Sequence, residues 1–439
     1  MIKSSEFKQR RKRLMQNMKN GSLALLASAP ARTRNRDVEY PFRQSSDFYY
    51  LTGFDEPESV LVLAPGRKQG AYVLFCRKFD ETQALWTGSY AGLDGARETF
   101  RADEAYPIED FPRLLPGLLE HCQRVYYPIG EGDELEHQLL GTIKDLRSKS
   151  RIGIKPPSEL ISLESLLHEQ RLFKSKAELA AMRKAGDVSA RAHCRAMKMC
   201  RPGLYEYQIE AELQHEFARH GLRSVAYPSI VAGGVNACVL HYTENKDALR
   251  DGDLLLIDAG AEYQNYAADI TRTFPVNGRF SEPQRQLYEL VLAAQHAAML
   301  KIKPGKRWNE PHEAAVEVLT EGLVELGLLH GPAQKLINEE GYKKFYMHRT
   351  GHWLGMDVHD VGDYKRDEKW RKLEPGMVLT VEPGLYVSPN CDEVDARWRG
   401  IGIRIEDDVV VTETGCEVLT SGVPKSVEEI EQLMMKKTA

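Results

Sequence analysis

The stretch Asp251-Gly252-Asp253-Leu254-Leu255-Leu256-Ile257-Asp258-Ala259-Gly260, followed by Tyr266-Ala267-Ala268-Asp269-Ile270-Thr271-Arg272-Thr273-Phe274, decides how this chain is read. Four apolar residues closed by a carboxylate predict a buried strand that stops at Asp258. A second strand follows within a few residues, so the pair predicts an antiparallel hairpin. With its centre between Tyr263 and Gln264, residues 258 and 269 stand directly opposite, their Cβ atoms about 4.5–5.5 Å apart. Two carboxylates so close repel unless a proton or a metal ion lies between them. The plainer reading is a pair of solvated turn acids. It is disfavoured because Asp258 ends an apolar run, where a lone charge is costly.

Three later segments add ligand types. Met347-His348-Arg349-Thr350-Gly351-His352-Trp353-Leu354-Gly355-Met356-Asp357-Val358-His359 holds three histidines beside glycines that permit close backbone approach. Such clusters bind metal or substrate more often than an isolated histidine does. In Val378-Leu379-Thr380-Val381-Glu382-Pro383-Gly384, Glu382 ends an apolar strand. In Gly400-Ile401-Gly402-Ile403-Arg404-Ile405-Glu406-Asp407, the isoleucines alternate onto one face while Arg404 and Glu406 share the other. Taken alone, Glu406 reads as part of a solvated strand face paired with its arginine neighbour. Together the segments supply two Asp, two Glu and at least one His. Four carboxylates and an imidazole suit two divalent ions, Mn2+ first, with Co2+, Fe2+ or Zn2+ behind it. Two ions about 3.5–4 Å apart can activate a shared water and polarise a carbonyl. No G-x-S-x-G motif competes as a nucleophile site.

The 439 residues exceed one ordinary core and predict two or three domains. The formal net charge of −5 argues against nucleic acid as the main partner. No apolar run approaches the roughly 20 residues of a membrane span. The seven cysteines are odd in number and lack C-x-x-C spacing, which reads as a reducing, cytoplasmic setting without a disulfide framework. Near the start, Lys8-Gln9-Arg10-Arg11-Lys12-Arg13 precedes the apolar Leu23-Ala24-Leu25-Leu26-Ala27. Polar residues separate the two, so a charged helix followed by a buried strand is preferred to an export signal. Runs at 59–64, 71–76 and 125–129 predict strands of an α/β unit. Lys155-Pro156-Pro157-Ser158 marks a break, after which Ser175-Lys176-Ala177-Glu178 predicts a capping box and a helix to about Cys200. A second capping signal at Ser281 predicts a helix through about Lys301.

Over nearly its whole length the chain resembles the bacterial aminopeptidase P (Xaa-Pro aminopeptidase) family of pita-bread metallopeptidases. The resemblance is carried by Tyr40-Pro41-Phe42-Arg43-Gln44-Ser45-Ser46-Asp47-Phe48-Tyr49-Tyr50-Leu51-Thr52-Gly53-Phe54, His241-Tyr242-Thr243-Glu244-Asn245, Asp269-Ile270-Thr271-Arg272-Thr273-Phe274, His352-Trp353-Leu354-Gly355 and Arg404-Ile405-Glu406-Asp407. It implies an α+β chain: a smaller α/β creatinase-type N-terminal domain at 1–170, serving oligomerisation and the substrate pocket, and a pita-bread dinuclear domain at 171–439. It further implies Asp258, Asp269, His352, Glu382 and Glu406 as metal ligands, with Asp269 and Glu406 bridging two ions. Asp258 would complete one site, and His352 with Glu382 the other. His241, His348 and His359 would handle substrate and oxyanion, with Glu382 moving the proton. Arg404 would steady a ligand carboxylate. Trp86, in Leu85-Trp86-Thr87-Gly88, would enter a neighbouring subunit's pocket in a homotetramer. The implied substrates are peptides with proline second. Prolidase, methionine aminopeptidase, a creatine-type amidinohydrolase and a non-catalytic binding module are the alternatives; five intact ligand positions oppose the last two.

Overall fold

The computed structural model describes residues 2–120, 122–130 and 134–435. The chain divides into two compact units, Met1–Arg171 and Leu172–Ala439.

In the first unit a helix, α1 (Ser4–Asn17), precedes a buried strand, β1 (Ser22–Ala27). Strands β2 (Val60–Leu63), β3 (Tyr72–Cys76), β4 (Glu104–Pro107), β5 (Arg124–Tyr127) and β6 (Glu159–Ser162) complete a mixed sheet. Their order is β4-β3-β2-β1-β5-β6. Leu23, Leu25, Val62, Val73 and Phe75 form its core with Leu115, Leu139 and Ile143 of the helices α2 (Phe111–Leu119) and α3 (Glu134–Ser148).

The second unit opens with α4 (Lys176–Met199). Ser175 Oγ accepts from Glu178 N, and Glu178 Oε2 accepts from Ser175 N at 2.9 Å, so both halves of the capping box are made. Next come α5 (Glu206–Arg219) and a three-stranded sheet of β7 (Ile230–Gly233), β8 (Leu254–Asp258) and β9 (Thr271–Pro275), with β8 central. Helices α6 (Glu282–Lys301) and α7 (Asn309–Glu325) pack together. Strands β10 (Val378–Val381), β11 (Gly384–Tyr386), β12 (Gly402–Arg404), β13 (Asp407–Val411) and β14 (Cys416–Val418) follow. β10 pairs with β13, and β11 with β12. A large core holds this unit together, with Trp353 and Trp398 among its largest buried side chains. All seven cysteines are free, and no helix among the described residues is long and apolar enough to cross a membrane.

The hairpin register differs from the expectation. Its centre lies between Gln264 and Asn265, so Asp258 faces Thr271 and not Asp269. Both turn residues have positive φ, +53° and +62°. This is the two-residue turn whose twist suits a hairpin, and Asn is one of the few side chains that tolerates it. Asp269 stands two positions from Thr271, which keeps it on the same face as Asp258. A Cβ at Gly260 would collide with the Ala268 carbonyl, so glycine is required where the two chains close.

Candidate metal centre

The hairpin brings Asp258 and Asp269 together despite the shifted register. One hydroxyl, Tyr227 Oη, lies 2.6 Å from Asp258 Oδ1 and 2.5 Å from Asp269 Oδ1. Tyr227 carries no local signal in the sequence beyond the proline after it, and the sequence reading missed it. Thr271, opposite Asp258, donates its hydroxyl to Glu406 Oε2 at 2.7 Å. Glu406 is therefore buried, 2 % exposed, which corrects the reading of a solvated strand face. Arg404 lies beside it and uses three donors: Nη2 to Asp258 Oδ2 at 2.6 Å, Nη1 to the Tyr386 hydroxyl at 3.0 Å and Nε to Thr271 Oγ1 at 3.1 Å.

The remaining ligand types come from the segment at 350–354, which lies along β10. Thr380 N donates to His352 O at 3.0 Å, Glu382 N to Thr350 O at 2.8 Å and Leu354 N to Val378 O at 3.1 Å. Gly351 sits so close to the Thr380 carbonyl that a Cβ would not fit. The fully buried Trp353 anchors the segment, stacking on Tyr364 with centroids 5.6 Å apart. Removing about 200 Å² of aromatic surface from water contributes on the order of 5 kcal/mol before entropy is counted. His352 Nδ1 donates to Trp353 O at 2.9 Å. That bond fixes the tautomer and leaves Nε2 facing Asp269 Oδ2 at 3.4 Å and Glu382 Oε1 at 3.7 Å.

Ligand atoms of Asp269, His352 and Glu406 all lie within 4.8 Å of one another. Burial, with the charges of Asp269, Glu382 and Asp258, pushes the Glu406 carboxyl well above its usual range. Burial raises Asp258, and the Asp269 charge adds to it against the relief from Arg404. Burial also raises Glu382, to about 7, although His352 and Arg404 oppose it. Burial works to lower His352, but its bond to Asp269 and the Glu382 charge prevail and raise it to about 9. Asp408, a further buried acid, accepts Asp269 N at 3.0 Å and leaves Oδ1 without a partner.

These residues fit divalent cations. Tyr227 has one hydroxyl proton for two carboxylates, and Arg404 is the guanidinium among four buried acids. The acceptors outnumber the donors, and a cation between the acids would answer the excess.

The outer histidines surround this cluster. His348 Nδ1 donates to Arg349 O at 2.8 Å, so Nε2 accepts from the Tyr386 hydroxyl at 2.9 Å. Burial, then Arg404, holds its pKa down near 4. The His359 ring meets His352 edge to face at 4.4 Å, and burial and the His352 charge lower its pKa. His241 is exposed and lies within electrostatic reach of both His348 and His359. Trp86 belongs to the other unit. It is 86 % exposed on a helix, Glu81–Thr87, that buries none of its residues.

Residues 180–413 match the model of metallopeptidase family M24, and residues 7–126 that of the aminopeptidase P N-terminal domain. The chain belongs to metallopeptidase family M24. This M24 chain is 48 % identical to the Xaa-Pro aminopeptidase of Escherichia coli K12, over 99 % of its own length and 98 % of the relative's. It is similar to the Pseudomonas aeruginosa aminopeptidase PepP structure, with 58 % identity and a TM-score of 0.98, covering 99 % of this chain and 98 % of that one. A zinc-substituted E. coli aminopeptidase P in complex with product matches at 47 % identity and a TM-score of 0.97, covering 100 % of this chain and 99 % of that one. The pita-bread fold with its aminopeptidase P N-terminal domain is thus shared, and the chain is a metal-dependent peptidase.

Proposed function

We propose that this M24 chain removes the N-terminal residue lying before proline, acting on Xaa-Pro-Xaa peptides. The observation that carries the proposal is the convergence of Asp258, Asp269, His352, Glu382 and Glu406 on one buried centre, in a chain whose relatives are named Xaa-Pro aminopeptidase.

Asp269 and Glu406 would bridge two divalent ions, with Asp258 completing one site and His352 and Glu382 the other. Mn2+ suits this oxygen-rich set best, ahead of Co2+, Fe2+ or Zn2+. Held by these side chains, such ions would supply Lewis-acid polarisation of the scissile carbonyl and a water made nucleophilic at neutral pH. Glu382 takes the proton from the attacking water and passes it to the proline nitrogen as the C–N bond breaks. His359 donates to the oxygen that gains charge. Both nitrogens of His348 are engaged by Arg349 and Tyr386, so its ring is held as a wall. His348 and His241 line the place of the proline ring, whose fixed φ and missing N–H leave shape as the selective feature. Arg404 keeps Asp258 in place.

The N-terminal unit serves oligomerisation and lends its exposed Trp86 to a neighbouring subunit's pocket in a homotetramer. Seven free cysteines suit a cytoplasmic location. The deciding experiment compares Ala-Pro-Ala with Ala-Pro, with added Mn2+. Preference for the tripeptide is expected; cleavage of the dipeptide alone would make the chain a prolidase, and activity in rigorously metal-free protein would overturn the scheme.

A further inference from the structure

Glu206 opens α5, and its side chain is fully buried, 0 % exposed. Four donors surround the carboxylate, and none of them is charged. Oε1 accepts from Gly233 N at 2.7 Å and Asn236 Nδ2 at 3.0 Å. Oε2 accepts from the Tyr242 hydroxyl at 2.7 Å and Asp247 N at 2.9 Å. An ionised carboxylate offers about four acceptor sites, so the set is full. A buried charge is tolerated on such terms only while every donor keeps its geometry.

Those donors belong to residues 233, 236, 242 and 247, which bracket His241 on both sides. Glu206 N also donates to Asp247 O at 3.0 Å, closing the loop onto the start of the helix. Asn245 adds a second tie. It is buried at φ +46°, accepts from Val231 N at 2.9 Å and donates to Ser229 O at 2.8 Å. His241 itself is exposed, so its own packing does not fix where the ring stands.

We infer that Glu206 is a positioning residue: it clamps the 233–247 loop so that His241 holds its place beside His348 and His359. The kinetic part of this inference rests on the aminopeptidase reading. A glutamine at 206 keeps the shape but presents an NH2 group to donors, so at least one of the four bonds is lost.

The test compares wild type, Glu206→Gln, Tyr242→Phe, His241→Ala and Glu206→Gln/His241→Ala on Ala-Pro-Ala with saturating Mn2+. Bound metal is measured on the same samples. Losing a hydrogen bond to a charged group predicts a fall in kcat/KM of about 10- to 100-fold for Glu206→Gln, mainly through KM. Metal content should be unchanged. In the His241→Ala background the same substitution should cost less than about twofold, because coupled residues are not additive. Tyr242→Phe should show a smaller loss of the same kind. Independently of turnover, amide hydrogen exchange across 233–247 should quicken about tenfold in Glu206→Gln while β8 and β9 stay protected.

Equal losses with and without His241, or unchanged exchange in the loop, would overturn the inference. A wild type that does not cleave Xaa-Pro peptides would sink the functional reading instead, and the exchange result would still decide the clamp. Should Glu206→Gln not fold, Tyr242→Phe carries both readouts.

Discussion

Replacing Arg272 with methionine should destabilise the second unit by about 3–4 kcal/mol, although Arg272 is not among the metal-ligating side chains. Arg272 is fully buried on β9 and all five of its N–H donors are used. Nη1 donates to Glu406 O at 2.6 Å and Thr271 O at 3.0 Å; Nη2 donates to Asp407 Oδ1 at 2.8 Å and Val423 O at 3.2 Å; Nε donates to Pro424 O at 3.2 Å. Removing one member of a buried ion pair costs about 3–5 kcal/mol. Asp407 would keep Lys425 Nζ at 2.8 Å, Thr420 Oγ1 at 2.9 Å and Gln295 Nε2 at 3.1 Å, which places its share at the low end. Carbonyls left short of a donor raise the total again. The assay is equilibrium urea unfolding followed by tryptophan fluorescence, with metal saturating in both proteins. Trp308, Trp353, Trp370 and Trp398, four of the five tryptophans, lie in this unit and dominate the signal. Arg272→Lys keeps the charge but not the fork, so it should fall between wild type and the methionine variant. A loss below about 1 kcal/mol for Arg272→Met would refute the reasoning, because it would mean the buried pair is readily replaced by an apolar side chain.

Metal binding at pH 7 should release protons, since His352, held near 9 by Asp269 and Glu382, must give its proton up before it can ligate. Calorimetry in buffers of different ionisation enthalpy measures the number, and a value of zero would contradict the donor deficit. Tyr227→Phe should weaken metal affinity about 10- to 100-fold, read by competition with a chelator, because it removes the hydroxyl shared by Asp258 and Asp269. His193 is fully buried, donates Nε2 to Ala259 O at 2.9 Å, and burial lowers its pKa to about 4. The unfolded chain takes up this proton below about 6.5 and the folded chain only near 4. Stability is therefore present above pH 6.5 and lost on acidification through that window, by roughly 3 kcal/mol in all. His193→Gln should flatten the dependence of the urea midpoint on pH between 6.5 and 4, and an unchanged slope would remove His193 as its source.

The parts of this structure legible in the sequence are those set by near neighbours. Ser175 and Glu178 announce α4 because the capping box spans three residues, and the run Leu254–Ile257 announces a buried strand because burial on both faces removes the alternation. The hairpin register is not legible, since the turn is chosen by Asn265 adopting positive φ, a weak single-residue signal flanked by two tyrosines, and it moves the partner of Asp258 from residue 269 to 271. Glu406 was the harder case. Its burial depends on Thr271, more than a hundred residues earlier, and on Arg404 reaching Asp258 from β12.

Residue types reveal that acids are present, but not how many donors will meet them. At Tyr227 two carboxylate oxygens share one proton, while Arg404 divides its donors among Asp258, Tyr386 and Thr271. Asp408 adds an oxygen with no partner. Fold stability alone would favour fewer acids here, because each one is carried at a cost in desolvation. An acceptor surplus maintained in a buried centre is therefore the physical mark of a cation site. That surplus, more than the tally of ligand-type residues, separates this arrangement from an ordinary buried ion-pair network such as Arg272, Asp407 and Lys425, where donors and acceptors balance.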